Sequence, residues 1–136
     1  MLAVAAVVVA PFWAVENRSI LWPRGYRGSE AAVVARLADL PADALVISDD
    51  PGLAWRAGHR PPGDFADPSF QRIEQGRITK GSVASAAASR GVCGVVVSSP
   101  QHFGSLDGLG RRLRAEGYRP ERFGDITLYT RARCPA

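Results

Sequence analysis

The feature that most constrains this chain is a break in character near its start. Met1 to Val15 read MLAVAAVVVAPFWAV and carry no charge, whereas from Glu16 onward the sequence is polar and Arg-rich. A helix needs about 20 apolar residues to cross a bilayer, so this run is too short to span one alone. It reads as the outer half of a membrane helix whose beginning is missing, with a water-soluble domain hanging from it. Two other readings compete. A secretory signal peptide has a cationic segment ahead of its apolar run, and here the first basic residue is Arg18. A buried strand suits Val7, Val8 and Val9, but Pro11 would interrupt a helix or a central strand. Trp13 and Trp22 lie just past the run, as an aromatic belt at a membrane surface would. The membrane-helix remnant is preferred, with residues 1–25 as helix end and linker and 26–133 as one soluble α/β domain.

The formal net charge of the 136 residues is +4. Lys80 is the only lysine, and the arginines are scattered among acidic neighbours. No basic block is interleaved with aromatics, so a surface that tracks nucleic-acid phosphates is not indicated. Cys93 opens the apolar run CGVVV and reads most simply as a small buried hydrophobe. Cys134 is near the end of the sequence. A disulfide between the two would be permitted outside the cytoplasm. His59 and His102 lack neighbours at metal-ligand spacing, and no metal or cofactor is implied.

Along the chain, Glu30–Leu40 has helical apolar spacing, with Ser29 placed to cap it and Pro41 to end it. Ala44–Ser48 (ALVIS) and Val92–Ser98 read as buried strands. One or two helical turns are expected over Leu53–Gly58, a Pro-rich loop over His59–Pro68 and a short helix over Ser69–Gln75. Thr79–Arg90 is an Ala-rich helix followed by Gly91. Leu106–Glu116 is an amphipathic helix, and Tyr118 with Ile126–Thr130 gives one or two closing strands around a Phe123-Gly124-Asp125 turn. Strands alternating with helices predict a small three-layer Rossmann-like α/β domain, with a short, mostly parallel sheet and a C-terminal hairpin.

The sharpest candidate site is Ser48-Asp49-Asp50-Pro51-Gly52, directly after a strand. Ligands of open α/β sheets bind at that edge. Asp49 and Asp50 there suit a divalent cation or a hydroxyl-rich ligand. The plainer reading, favoured from these residues alone, is turn chemistry with an Asp capping the next helix. Trp55 offers a flat apolar face to a sugar ring, and Arg56, Asp67 and Arg72 offer hydrogen bonds to its hydroxyls. A phosphorelay receiver is excluded, because the second strand ends Val97-Ser98-Ser99-Pro100 without an Asp and Lys80 lies on a helix. No Gly-rich phosphate loop and no nucleophile elbow is present.

The run from Val46 through Asp49-Asp50-Pro51-Gly52-Leu53-Ala54-Trp55 to Gly58 resembles the extracytoplasmic tail of bacterial multi-spanning GT-C glycosyltransferases. These are the polyprenol-phosphate-sugar-dependent enzymes akin to protein mannosyltransferases and the lipid A aminoarabinose transferase. A Pro-rich loop, Asp67-Pro68-Ser69-Phe70-Gln71-Arg72-Ile73, a helix, a Val-rich strand and Gly124-Asp125-Ile126-Thr127-Leu128-Tyr129 follow in similar order. The similarity runs over about Tyr26 to Arg131, and only the Asp-Asp-Pro-Gly-Leu-Ala-Trp run is at all specific. It implies an accessory domain in the cell membrane's outer aqueous space, tied to the bilayer by the N-terminal segment. It also implies contact, through the parent protein, with a polyprenol-linked sugar or a glycan acceptor. The catalytic carboxylates of that family lie in an early loop not represented here, so no catalytic residue carries over. Arg18, Arg24 and Arg27 would by themselves favour a cytoplasmic side. The alternatives are a stand-alone sugar- or nucleotide-binding module and a protein-interaction domain.

Overall fold

The computed structural model describes residues 28–134. The segment expected to be a membrane-helix remnant lies outside the described residues, among which no helix is long and apolar enough to cross a membrane. In chain order the elements are α1 (Ser29–Ala38), β1 (Leu45–Ser48), α2 (Pro51–Arg56), α3 (Phe70–Glu74), α4 (Lys80–Ala88), β2 (Val92–Val97), α5 (Leu109–Ala115), β3 (Tyr118–Phe123) and β4 (Ile126–Arg131). Short 3₁₀ turns at Gly63–Phe65 and Phe103–Ser105 interrupt the loops.

The four strands form one mixed sheet in the order β1-β2-β4-β3. β1 and β2 are parallel, with Ile47 opposite Val95. The β2–β4 and β4–β3 pairings are antiparallel. The expected mostly parallel sheet is therefore corrected to one parallel pairing and two antiparallel ones. The cause is the closing hairpin: α5 carries the chain from β2 to β3, which runs parallel to β2, and β4 then turns back and fills the gap between them, pairing antiparallel with both. Gly124, at φ 59°, opens the two-residue turn between β3 and β4, a position where a side chain is disfavoured.

Strand alternation sends neighbouring residues to opposite faces. On one face Val46, Val96 and Leu128 pack with Val33 and Leu37 of α1 and Leu53 and Ala54 of α2. On the other, Ile47, Val95 and Tyr129 pack with Val83 and Ala87 of α4 and Leu109 and Leu113 of α5. Each of these leucine, isoleucine and valine side chains is essentially removed from water, worth roughly 1.5–3 kcal/mol apiece relative to exposure. Gly94 on β2 explains how α1 sits so close: a Cβ there would lie 3.4 Å from Leu37, Leu40 and Val46 side-chain atoms.

Local sequence accounts for several boundaries. Thr79 caps α4 in a reciprocal box with Ser82. Ser29 does not cap α1; it is the first helical residue, and the cap position is Gly28, which offers no side-chain bond. Helix α1 stops at Ala38, ahead of Pro41. The last helix begins at Leu109 rather than Leu106, because residues 103–105 close a 3₁₀ turn first. His59 pins the loop after α2: its Nδ1 lies 3.0 Å from Ala44 O and its Nε2 2.8 Å from Leu37 O. The edge strand β3 carries exposed Arg119, Pro120, Glu121 and Arg122. At the opposite edge the Val46 N–H donates to the Arg60 carbonyl at 3.0 Å. Cys93 on β2 and Cys134 form a disulfide, with Cα atoms 5.3 Å apart.

Candidate functional site

The candidate edge starts where β1 ends. The Asp49 N–H reaches Val96 O at 3.4 Å, continuing the parallel ladder one step past the strand. That places the Asp49 side chain beside the loop that leaves β2. Its Oδ1 accepts from the Ser98 N–H and the Ser98 hydroxyl, both at 2.7 Å. Its Oδ2 accepts from the Ser99 N–H at 3.0 Å and the Phe103 N–H at 3.3 Å. The residue is only 4 % exposed. A buried carboxylate costs a great deal unless its oxygens are satisfied, and here four donors meet two oxygens. Both oxygens are thus engaged within the fold, and Asp49 organises the loop from Ser98 to Phe103.

Asp50 does a different job. Its backbone is extended and its Oδ1 accepts from the Gly52 N–H at 2.9 Å, so it is the N-cap of α2, with Pro51 at the first helical position. The Ser48 hydroxyl donates to Asp50 O at 2.6 Å and accepts from the Asp50 N–H at 3.1 Å, which fixes the turn. Leu53 and Ala54 hold α2 against the sheet. Trp55 projects the other way and is 62 % exposed. Arg56 follows it, also exposed, at the helix C-terminus where a cation is favoured.

Asp67 and Arg72 belong to another part of the surface. The Asp67 carboxylate accepts from the Ser69 N–H at 3.2 Å, ahead of α3. Arg72 makes no ion pair with it. Instead its Nη1 donates to two backbone carbonyls, Asp64 O at 2.8 Å and Asp67 O at 2.9 Å. Arg72 lines a cleft of about 430 Å³ with Asp64, Phe65, Arg77, Ile78 and three serines on and just past α4. The candidate residues therefore fall into two groups. Asp49, Asp50, Trp55 and Arg56 are carried by the end of β1 and by α2, and Arg72 with Asp67 frames the α3–α4 side.

Sequence reasoning missed the partners of Asp49. Ser98 and Ser99 stood out only as residues after a strand; two polar residues closing a Val-rich apolar run were the available signal. His59 read as a loop residue, and nothing around it in sequence marks the two carbonyls it meets. Among the described residues no group of three or more His, Cys, Asp or Glu side chains is placed to hold a metal ion. No family model, curated protein or solved structure matches this chain.

Proposed function

We propose that this domain is a non-catalytic accessory module on the extracytoplasmic side of a membrane glycosyltransferase that uses a polyprenol-phosphate-linked sugar. The observation that carries this reading is the Cys93–Cys134 disulfide. Such bonds form and persist in oxidising compartments and are rare in the cytosol. Helices packed on both faces of the sheet support a small three-layer, Rossmann-like unit. The exposed Trp55 beside Arg56 supports a surface that meets a sugar ring edge-on to the sheet, with acceptor contact as its role. The engagement of Asp49 by four internal donors supports a scaffold rather than a reacting carboxylate at this edge. The uncharged N-terminal run is the tie to the bilayer in this reading.

The test is topological and chemical. Expressed in bacterial cells, the chain is expected in the membrane fraction, with Cys93 and Cys134 resistant to thiol alkylation. Protease added outside the inner membrane should reach the domain. Recovery from the cytosol with both thiols free would overturn the placement. Sugar transfer from a polyprenyl-phosphate donor by the purified chain would overturn the non-catalytic role.

A further inference from the structure

The α3–α4 cleft has the makings of an anion site. Two guanidiniums, Arg72 and Arg77, line it. Arg72 is held in place before any ligand arrives, because Nη1 is committed to the Asp64 and Asp67 carbonyls while Nε and Nη2 retain their donors. The Arg77 side chain makes no hydrogen bond or ion pair with a described residue. Asp64, the one carboxylate in the lining, pairs with neither arginine; the described ion pairs both belong to Arg36. Phe65 and Ile78, both buried, form an apolar floor. Ser82, Ser85 and Ser89 also line the cleft and recur at helical spacing along and just past α4. Ser82 is committed to the Thr79 cap, and the Ser89 hydroxyl donates to Ser85 O at 3.4 Å. The Ser85 hydroxyl has no partner among the described residues.

We propose that this cleft binds a sugar phosphate. Guanidiniums suit a phosphoryl group in charge and in donor geometry, and two of them line this one cleft. A bare phosphate would leave most of about 430 Å³ empty. The Ser85 and Ser89 hydroxyls and the Asp64 carboxylate suit the hydroxyls of an attached sugar, and Phe65 and Ile78 suit its C–H face. This inference does not rest on the accessory-domain reading above, since a free sugar phosphate and the headgroup of a lipid-linked one present the same chemistry.

The experiment titrates the full chain with glucose 1-phosphate, glucose and inorganic phosphate, followed by amide NMR shifts and calorimetry. Saturable binding of glucose 1-phosphate is expected, with shifts at Arg77, Ile78, Ser85 and Ser89, and at least about tenfold tighter than either glucose or phosphate. Arg77→Gln should weaken it about tenfold or more with a nearly unchanged melting temperature, because that side chain is exposed and makes no hydrogen bond or ion pair with a described residue. Ser85→Ala should weaken it less. Vesicles carrying a polyprenyl-phosphate glucose, against plain phosphatidylcholine vesicles, identify the source: retention only on the former assigns the lipid headgroup, and binding of the free compound alone assigns a soluble ligand. No saturable binding of either form, equal affinity for glucose and glucose 1-phosphate, or an Arg77→Gln variant that binds as before would each overturn the proposal.

Discussion

The hydroxyl of Ser98 donates to Oδ1 of Asp49 at 2.7 Å, joining the end of β1 to the loop that leaves β2. The same oxygen takes the Ser98 N–H, so one side chain holds two consecutive crossings of the sheet edge in register. An Asp at the end of a strand is easily taken for a ligand group. Here its oxygens are taken up by the Ser98 hydroxyl and by three backbone N–H groups, one of them, that of Phe103, on a buried residue.

Asp49→Asn should therefore act first on stability. An amide placed at Oδ2 faces the N–H groups of Ser99 and Phe103, and one placed at Oδ1 faces that of Ser98. Either orientation leaves a buried donor unmet, at a cost of about 2–4 kcal/mol. A thermal melt of a domain this size should drop by about 10 °C or more. A variant that melts like the parent yet loses ligand binding would return Asp49 to the role of a binding residue.

Asp50 and Trp55 should part company under the same assay. Asp50→Ala removes the cap on Gly52 and should cost about 1 kcal/mol. Trp55→Ala should leave the midpoint within about 0.5 kcal/mol, because the ring is 62 % exposed. If Trp55 instead proves costly to remove, it packs in the native state and is not available to a sugar.

Tyr118 sets an alkaline limit. Its hydroxyl is buried and donates between Ala87 O at 2.9 Å and Val92 O at 2.8 Å. Burial raises its pKa from 10.0 to about 12, opposed by the Arg131 guanidinium and reinforced by Glu116. The folded state thus holds this proton more tightly than the unfolded chain does. Its contribution is intact below pH 10 and is lost as pH rises through about 12, a total on the order of 2 kcal/mol. Urea midpoints measured across that window should fall for the parent and fall less for Tyr118→Phe.

Reducing the Cys93–Cys134 bond should destabilise the domain without unravelling its sheet. The bond spans 41 residues of sequence, a loop whose closure restricts the unfolded chain by about 4 kcal/mol. Calorimetry with and without a reductant that reaches the bond checks this; identical transitions would show that the cross-link does not constrain the unfolded chain.

Much of the fold was legible because its signals are local. The runs around Val46–Ser48 and Val92–Val97 are apolar and bounded by turn formers, and both became strands. The helices expected over Leu53–Gly58 and Thr79–Arg90 both formed, one starting two residues earlier at Pro51 and the other one residue later at Lys80, with Thr79 as its cap. Pairing was less legible. Periodicity places β4 in a strand but says nothing of its neighbour, so its insertion beside β2 could not be read from Ile126–Arg131 alone. The candidate site was half legible for the same reason. Asp50 as a cap depends on residues two apart. Asp49 and Ser98 are 49 residues apart, and Arg72 finds carbonyls rather than the carboxylate that sequence proximity suggests.

The two borders of the sheet carry a consequence for how this protein behaves among copies of itself. An open strand edge is a template on which a second chain can stack its own backbone. Along β3 that template is spoiled by Pro120, which has no N–H to give, between the charges of Arg119, Glu121 and Arg122. Along β1 the strand is only four residues long, and Arg60 already occupies part of its rim. Both described borders thus discourage a recruit, and loss of the β3–β4 hairpin would open a longer edge by baring the valines of β2.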